Sequence, residues 1–178
     1  MSADGYELRF AVNYLAGFLL TSELLPLLKA SAPARIVNVA SAGQQAIDFS
    51  DVMLTRSYDG VRAYCQSKLA QILFTVDLAE QLKGTGVTVN ALHPASYMNT
   101  TMVRQARVTP WSSVETGADA ILNLATSPTL NGKSGLYFDG LRESRADAQA
   151  YDAKARQQLR SLSLDLIGPA SPTSKEQH

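Results

Sequence analysis

Apolar residues recur at three- and four-residue spacing in four segments of the chain, and this periodicity predicts four helices. They cover residues 7–29, 61–82, 113–125 and 146–168. The first segment carries apolar residues around most of its circumference, so we expect it to be buried on more than one side. The motif SSVE at the start of the third segment predicts a serine cap for that helix.

Short runs that contain β-branched or aromatic residues separate these helices. RIVNVAS, VTVNALHP and GLYFDG predict three buried strands. The alternation of helices and strands predicts an α/β fold with about three parallel strands, right-handed crossovers and flanking helices. We expect one domain over residues 1–168 and a disordered tail over residues 169–178, PASPTSKEQH.

Composition narrows the class of partner. The 178 residues include 16 basic and 16 acidic side chains, so no overall field favours nucleic acid or an anionic membrane. The single cysteine, Cys65, and the lack of a signal-peptide pattern predict a reducing, cytoplasmic location. Asn13, Glu23 and Pro26 disfavour a membrane-spanning role for the first helix. We therefore expect the partner to be a small molecule or another protein.

The segment AYCQSK places Tyr64 four residues before Lys68, so the two side chains share one face of a helix. An ammonium near a phenol stabilises the phenolate, and such a pair can act as a general acid and base. The spacing alone favours a surface ring and a solvated amine over a catalytic pair. Ser41 favours the catalytic interpretation, because it follows the first strand at the carboxyl edge where α/β sheets bind ligands.

Four motifs in this order resemble the short-chain dehydrogenase/reductase family. RIVNVAS resembles its strand-plus-serine motif, AYCQSK its Tyr-x-x-x-Lys, NALHPA its strand ending in Pro-Gly, and AVNYLAGFLLT its asparagine-bearing helix. YCQSKLAQILF and GLYF are most similar to the retinol-dehydrogenase-like branch. The resemblance implies the C-terminal part of a Rossmann-like doubly wound sheet. It also implies an oxidoreductase that uses NAD or NADP and acts on a small alcohol or carbonyl compound.

The resemblance implies a role for each matching residue. Tyr64 would exchange a proton with the substrate oxygen, while Lys68 would stabilise the tyrosinate and hold the nicotinamide ribose. Ser41 would bond to the substrate oxygen, and Asn13 would anchor a water in a proton relay. Besides Tyr64 and Lys68, the cofactor would be lined by Val39, Pro94, Ala95, Ser96 and Tyr97.

Several of these residues also have a purely structural interpretation. Ser41 could only cap a strand end, and Asn13 could only satisfy buried backbone groups. His93 fits a structural side chain better than a metal ligand, because no second ligand has the required spacing. Ala95 adds a methyl group where the family usually has glycine. A serine hydrolase that uses Ser41 is disfavoured, since VASAG lacks the first glycine of G-x-S-x-G.

The sequence contains no glycine-rich turn between a strand and a helix, which is the element that holds the cofactor diphosphate. We therefore expect a truncated family domain without its N-terminal dinucleotide-binding half, and enzyme activity of this chain alone stays open. The first strand would lack one neighbour, which predicts association. The alternative to an oxidoreductase is a non-catalytic chain that acts only through association of its two long helices. In either case we expect a homo-oligomer.

Overall fold

The computed structural model describes residues 1–168, and its sheet has four strands in the order β1-β2-β3-β4. The parallel strands are β1 (Ala34–Val39), β2 (Val87–His93) and β3 (Tyr137–Asp139), whereas β4 (Arg142–Ser144) is antiparallel to β3. The predicted α/β class and the three parallel strands are confirmed. The sequence does not predict β4, because a polar strand of three residues carries no alternating apolar pattern.

Four of the five helices in the described residues lie at the predicted places, and the fifth, over Thr101–Gln105, lies where the sequence predicts none. They are α1 (Leu8–Ala30), α2 (Gly60–Gln81), α3 (Thr101–Gln105), α4 (Val114–Thr126) and α5 (Ala153–Ile167). The first contains a π-helical turn over Ala11–Leu15, and a 3-10 turn, Ala148–Tyr151, precedes the last. Ser113 caps α4 by accepting a hydrogen bond from the Thr116 amide, one residue later than SSVE predicts. The tail predicted over residues 169–178 lies outside the described residues.

The central helix of the core is α2, which contacts β2 and α5. Leu69, Ile72 and Leu73 on this helix are fully buried. Its first turn is capped by the Asp59 side chain, which accepts from the Arg62 amide over 2.7 Å. Because α2 starts after the long loop that follows β1, its N-terminal turns lie at the carboxyl edge of the sheet, where ligands bind in α/β folds.

The first helix is buried on one side only, so the expectation of burial on more than one side is wrong. Tyr14 and Phe18 face Phe74 of α2, with ring centroids 6.3 and 5.2 Å from the Phe74 ring. The opposite face bears exposed apolar side chains, with exposed fractions of 64%, 61% and 63% for Val12, Leu20 and Leu27. Periodicity records which positions are apolar, but it does not show how many neighbouring elements cover them.

The composition of α1 also meets the criterion for a membrane span. Among the described helices only Leu8–Ala30 is long and apolar enough to cross a membrane, with a mean hydropathy of 1.4. The core helix of a soluble protein meets the same criterion, but such a helix is mostly buried, whereas 17% of this apolar window is buried within the described residues.

The strand β1 forms one edge of the sheet, and β4 forms the other. Within residues 1–168 this strand is hydrogen-bonded to β2 alone, in register from Ala34 opposite Val87 to Val39 opposite Leu92. The predicted unpaired edge is therefore present in the described part of the chain. An open edge is a template for pairing with another strand.

Candidate active site

Ser41 and Tyr64 approach each other around Gly43. A methyl group built on Gly43 would lie 3.5 Å from Ser41 Oγ, from Tyr64 Cε1 and from Cys65 Sγ. The Gly43 amide donates a hydrogen bond to Ser41 Oγ over 3.0 Å. Ser41 is buried and Tyr64 is half-buried. The loop after β1 and the start of α2 thus bring a hydroxyl group and a phenol ring to one place.

Lys68 lies one helical turn after Tyr64 and points towards the end of β1. Its Nζ donates to the Val39 carbonyl over 2.9 Å and to Gln71 Oε1 over 3.1 Å. The same nitrogen is 5.9 Å from the centre of the Tyr64 ring. Burial lowers the pKa of Lys68 from its ordinary value. Sequence reasoning missed Gln71, although its position three residues after Lys68 on one helix was a usable signal.

Asn13 contacts the residue beside Lys68. Its Nδ2 donates to Ser67 Oγ over 2.9 Å, and Ser67 Oγ donates to the Tyr64 carbonyl over 2.7 Å. The π-helical turn of α1 is therefore tied to the backbone of the helix that carries Tyr64. The described contacts of Asn13 lead to Ser67, and its role in a water relay stays a prediction from the family resemblance.

The residues after β2 make contacts within their own loop. Pro94 is buried, Ala95 is half-buried, and Ser96 Oγ lies 3.1 Å from His93 Nε2. Burial lowers the pKa of His93, which fits the structural interpretation of this side chain. Tyr97 adopts a positive φ of 44° and packs edge-on against Trp111, with ring centroids 4.8 Å apart.

The described residues fit one end of a nicotinamide cofactor. The Lys68 ammonium and the 37% exposed Val39 stand at the carboxyl edge of β1, where a ribose and a nicotinamide ring can be bound. Among residues 1–168 no strand leads through a glycine-rich turn into a helix. Gly84 and Gly86 lie between α2 and β2 instead. The residues therefore fit the nicotinamide riboside end, and no part of residues 1–168 forms a comparable site for the diphosphate.

Two surface depressions lie away from this site. One of about 400 Å³ lies against Phe49 and α5, and another of about 400 Å³ lies against Trp111 and the start of α4. Neither is lined by Ser41 or Tyr64. In the described part of the chain, no group of three His, Cys, Asp or Glu side chains could hold a metal ion. The site is therefore defined by the chemistry of its side chains.

Known sequences place the chain in a family. The family model described as short chain dehydrogenase matches residues 1–111, which is more than half of the chain. Retinol dehydrogenase 13 of Homo sapiens is 41% identical to this chain over an alignment of 191 residues, gaps included. The alignment covers 98% of this chain and 58% of that protein. Retinol dehydrogenase 14 of Homo sapiens is 39% identical, covering 93% of this chain and 53% of that protein. The chain thus spans little more than half the length of these curated relatives.

Solved structures agree with this relationship. A crystal structure of a Mycobacterium paratuberculosis protein has a TM-score of 0.68 at 26% identity, covering 93% of this chain and 60% of that one. The RhlG/NADP active-site complex of Pseudomonas aeruginosa has a TM-score of 0.56 at 26% identity, covering 73% of this chain and 54% of that one. The chain belongs to the short-chain dehydrogenase family. Within that family it lies in the retinol-dehydrogenase-like branch, and the Pseudomonas aeruginosa structure is a complex with NADP.

Proposed function

We propose that this chain carries the proton-transfer residues of an NAD(P)-dependent oxidoreductase that interconverts a small alcohol and a carbonyl compound. The convergence of Ser41 Oγ and the Tyr64 ring beside Gly43 supports this proposal most directly. The Lys68 ammonium, 5.9 Å from the centre of the same ring, adds the charge that a tyrosinate requires. The names of the retinol dehydrogenase relatives support an alcohol or carbonyl substrate.

Each side chain has a distinct task in the proposed reaction. In reduction, the Tyr64 hydroxyl gives its proton to the substrate oxygen, and in oxidation the tyrosinate takes that proton back. The Ser41 oxygen accepts from the Gly43 amide, which leaves its own O–H free to donate to the substrate oxygen. Lys68 stabilises the tyrosinate electrostatically. When bound, the nicotinamide supplies or accepts the hydride.

The cofactor contacts are assigned by the same resemblance. Lys68 would bind the nicotinamide ribose, and the loop of Pro94, Ala95, Ser96 and Tyr97, together with Val39, would line the nicotinamide. Asn13 supports the site by holding Ser67, which bonds to the Tyr64 carbonyl. Because these residues reach only one end of the cofactor, we expect NAD(P)H to bind this 178-residue chain weakly.

The test is reduction of an aromatic aldehyde and of retinal by the full chain with NADPH or NADH, in the wild type and in Tyr64→Phe. We expect the Tyr64→Phe variant to lose at least about a hundredfold in kcat, the scale of a general acid. Tyr58→Phe is a matched control, since Tyr58 is 59% exposed and its hydroxyl bonds to Arg9. Unchanged turnover in Tyr64→Phe would overturn the assignment.

Cofactor binding gives a second test that does not need a known substrate. Trp111 is the only tryptophan and is 74% exposed, so its fluorescence can report NAD(P)H titration. Saturable binding below about millimolar concentration favours the oxidoreductase. Absence of binding at that concentration favours the second candidate.

The second candidate is association without catalysis. The exposed apolar face of α1, which contains Val12, Leu20 and Leu27, supports it, as does the free edge of β1. Contiguous apolar surface of this kind is typical of an interaction site. The occupant we propose is a second copy of this chain, with α1 and α2 at the contact.

A further inference from the structure

Ser41, in the loop after β1, is held by three hydrogen bonds from other residues. Its backbone carbonyl accepts two hydrogen bonds, one from the Tyr137 hydroxyl over 3.0 Å and one from Gln44 Nε2 over 3.0 Å. Its Oγ accepts a third from the Gly43 amide over 3.0 Å. The backbone and the side chain of this serine are therefore both restrained by direct contacts.

Tyr137 is a permanent donor in this arrangement. It lies on β3, is 4% exposed, and is 96 residues from Ser41 along the chain. Burial, and then the neighbouring Asp139 carboxylate, raise the pKa of Tyr137 to about 12. The phenol consequently keeps its proton across the neutral range, and the Ser41 carbonyl always faces a donor.

Gln44 is itself oriented by the segment that follows β4. Its Oε1 accepts from the Asp147 amide over 2.8 Å, which turns its Nε2 towards Ser41. Gln149 makes a parallel connection, accepting from the Ile47 amide over 2.7 Å and donating to the Ile47 carbonyl over 3.1 Å. Two glutamines thus bind the loop after β1 to the 3-10 turn.

We propose that Tyr137 and Gln44 are positioning residues of Ser41, which fix its carbonyl so that its hydroxyl faces the Tyr64 ring. A free loop would let the hydroxyl sample many directions, and misplacement of a reacting group by about 1 Å can cost a hundredfold in rate. The expected effect of Tyr137 and Gln44 on turnover rests on the proposed function. Their expected effect on the order of the Ser41 loop is independent of that function.

Amide hydrogen exchange of Gly43, measured by NMR on the full chain, tests the positioning directly. We expect exchange at Gly43 to become about tenfold faster in Tyr137→Phe and in Gln44→Leu, because the carbonyl anchor is lost. Tyr14→Phe is the matched control, since Tyr14 is 2% exposed and its hydroxyl lies 2.6 Å from Ser163 Oγ. The proposal would be overturned if the Gly43 amide exchanged in both variants at the same rate as in the control.

A double-mutant cycle tests the functional consequence. We expect Tyr137→Phe to lower kcat about tenfold with little change in KM, and to have no further effect in a Ser41→Ala background. Tyr14→Phe should keep the wild-type kcat. Full additivity of the Tyr137 and Ser41 losses would overturn positioning through Ser41. Lack of turnover in the wild type would count against the proposed function, and Gly43 exchange would still decide the positioning role.

Discussion

Two tyrosines near Ser41 have opposite surroundings. Tyr64 is half-buried beside the Lys68 ammonium, whereas Tyr137 is buried next to the Asp139 carboxylate. A positive neighbour favours the ionised phenol and a negative neighbour disfavours it. The proposed proton transfer at Tyr64 and the hydrogen bond donated by Tyr137 therefore occur in surroundings of opposite charge.

The burial of the Lys68 ammonium should make the free energy of unfolding depend on pH. Burial lowers its pKa in the folded state below the ordinary value of 10.5, so the unfolded chain binds more protons in the interval between the two values. The free energy of unfolding should therefore rise as the pH increases through the lowered pKa towards 10.5. Lys68→Met should lack this contribution. Urea denaturation of both proteins at several pH values measures it, and a pH-independent difference between them would contradict the prediction.

At the scale of elements, α1 and α5 are joined by a buried hydrogen bond. The Tyr14 hydroxyl lies 2.6 Å from Ser163 Oγ, and Ser163 Oγ donates to the Leu159 carbonyl over 2.7 Å. Aromatic contacts of Tyr14 with Phe10 and Phe18 surround this bond. The first and last helices of the described chain are thus attached to one core.

Removal of this hydroxyl should have a pH-dependent effect. Tyr14→Phe should lower the free energy of unfolding by about 1 kcal/mol at neutral pH, the net value of a typical hydrogen bond. Burial raises the pKa of Tyr14 well above its ordinary value of 10.0. The phenol's contribution is therefore present below pH 10 and is lost as the pH rises above that value. The wild type should lose stability faster than Tyr14→Phe above pH 10, and parallel denaturation curves would contradict this expectation.

At the scale of the whole molecule, the N-terminal part of the chain carries two surfaces that no other described element covers. The apolar face of α1 precedes the strand β1, whose outer edge is unpaired in the described residues. Burial of a leucine side chain contributes about 1.5–3 kcal/mol. Burial of several such residues on one helix face would favour the proposed association.

Sedimentation velocity over a concentration series tests this expectation. The wild-type sedimentation coefficient should rise with concentration, and Leu20→Lys should shift the rise to at least about tenfold higher concentration, because a buried contact is replaced by a charge. Leu141→Lys is the matched control, since Leu141 is 64% exposed in the turn between β3 and β4. A wild type that stays monomeric throughout the series would disprove association.

Much of the fold could be predicted because the information is local. The apolar spacing over residues 61–82 predicts α2, observed at Gly60–Gln81, within one residue at each end. The order of RIVNVAS, AYCQSK and NALHPA indicated the short-chain dehydrogenase family, which the comparisons confirm. Burial periodicity and short motifs depend on residues that are neighbours in the chain, and one sequence suffices to recognise them.

Only the tertiary structure decided how the candidate site is held together. The contacts of Ser41 with Tyr137, of Asn13 with Ser67, and of Lys68 with the Val39 carbonyl join residues 96, 54 and 29 positions apart. The one-sided burial of α1 likewise depends on which elements reach it. The spacing of residues in a helix or strand does not predict such contacts, because residues that are distant in sequence meet only when the chain folds. The sequence alone therefore determined the four long helices, the three parallel strands and the family, and the fold determined which distant groups hold Ser41 and which faces stay exposed.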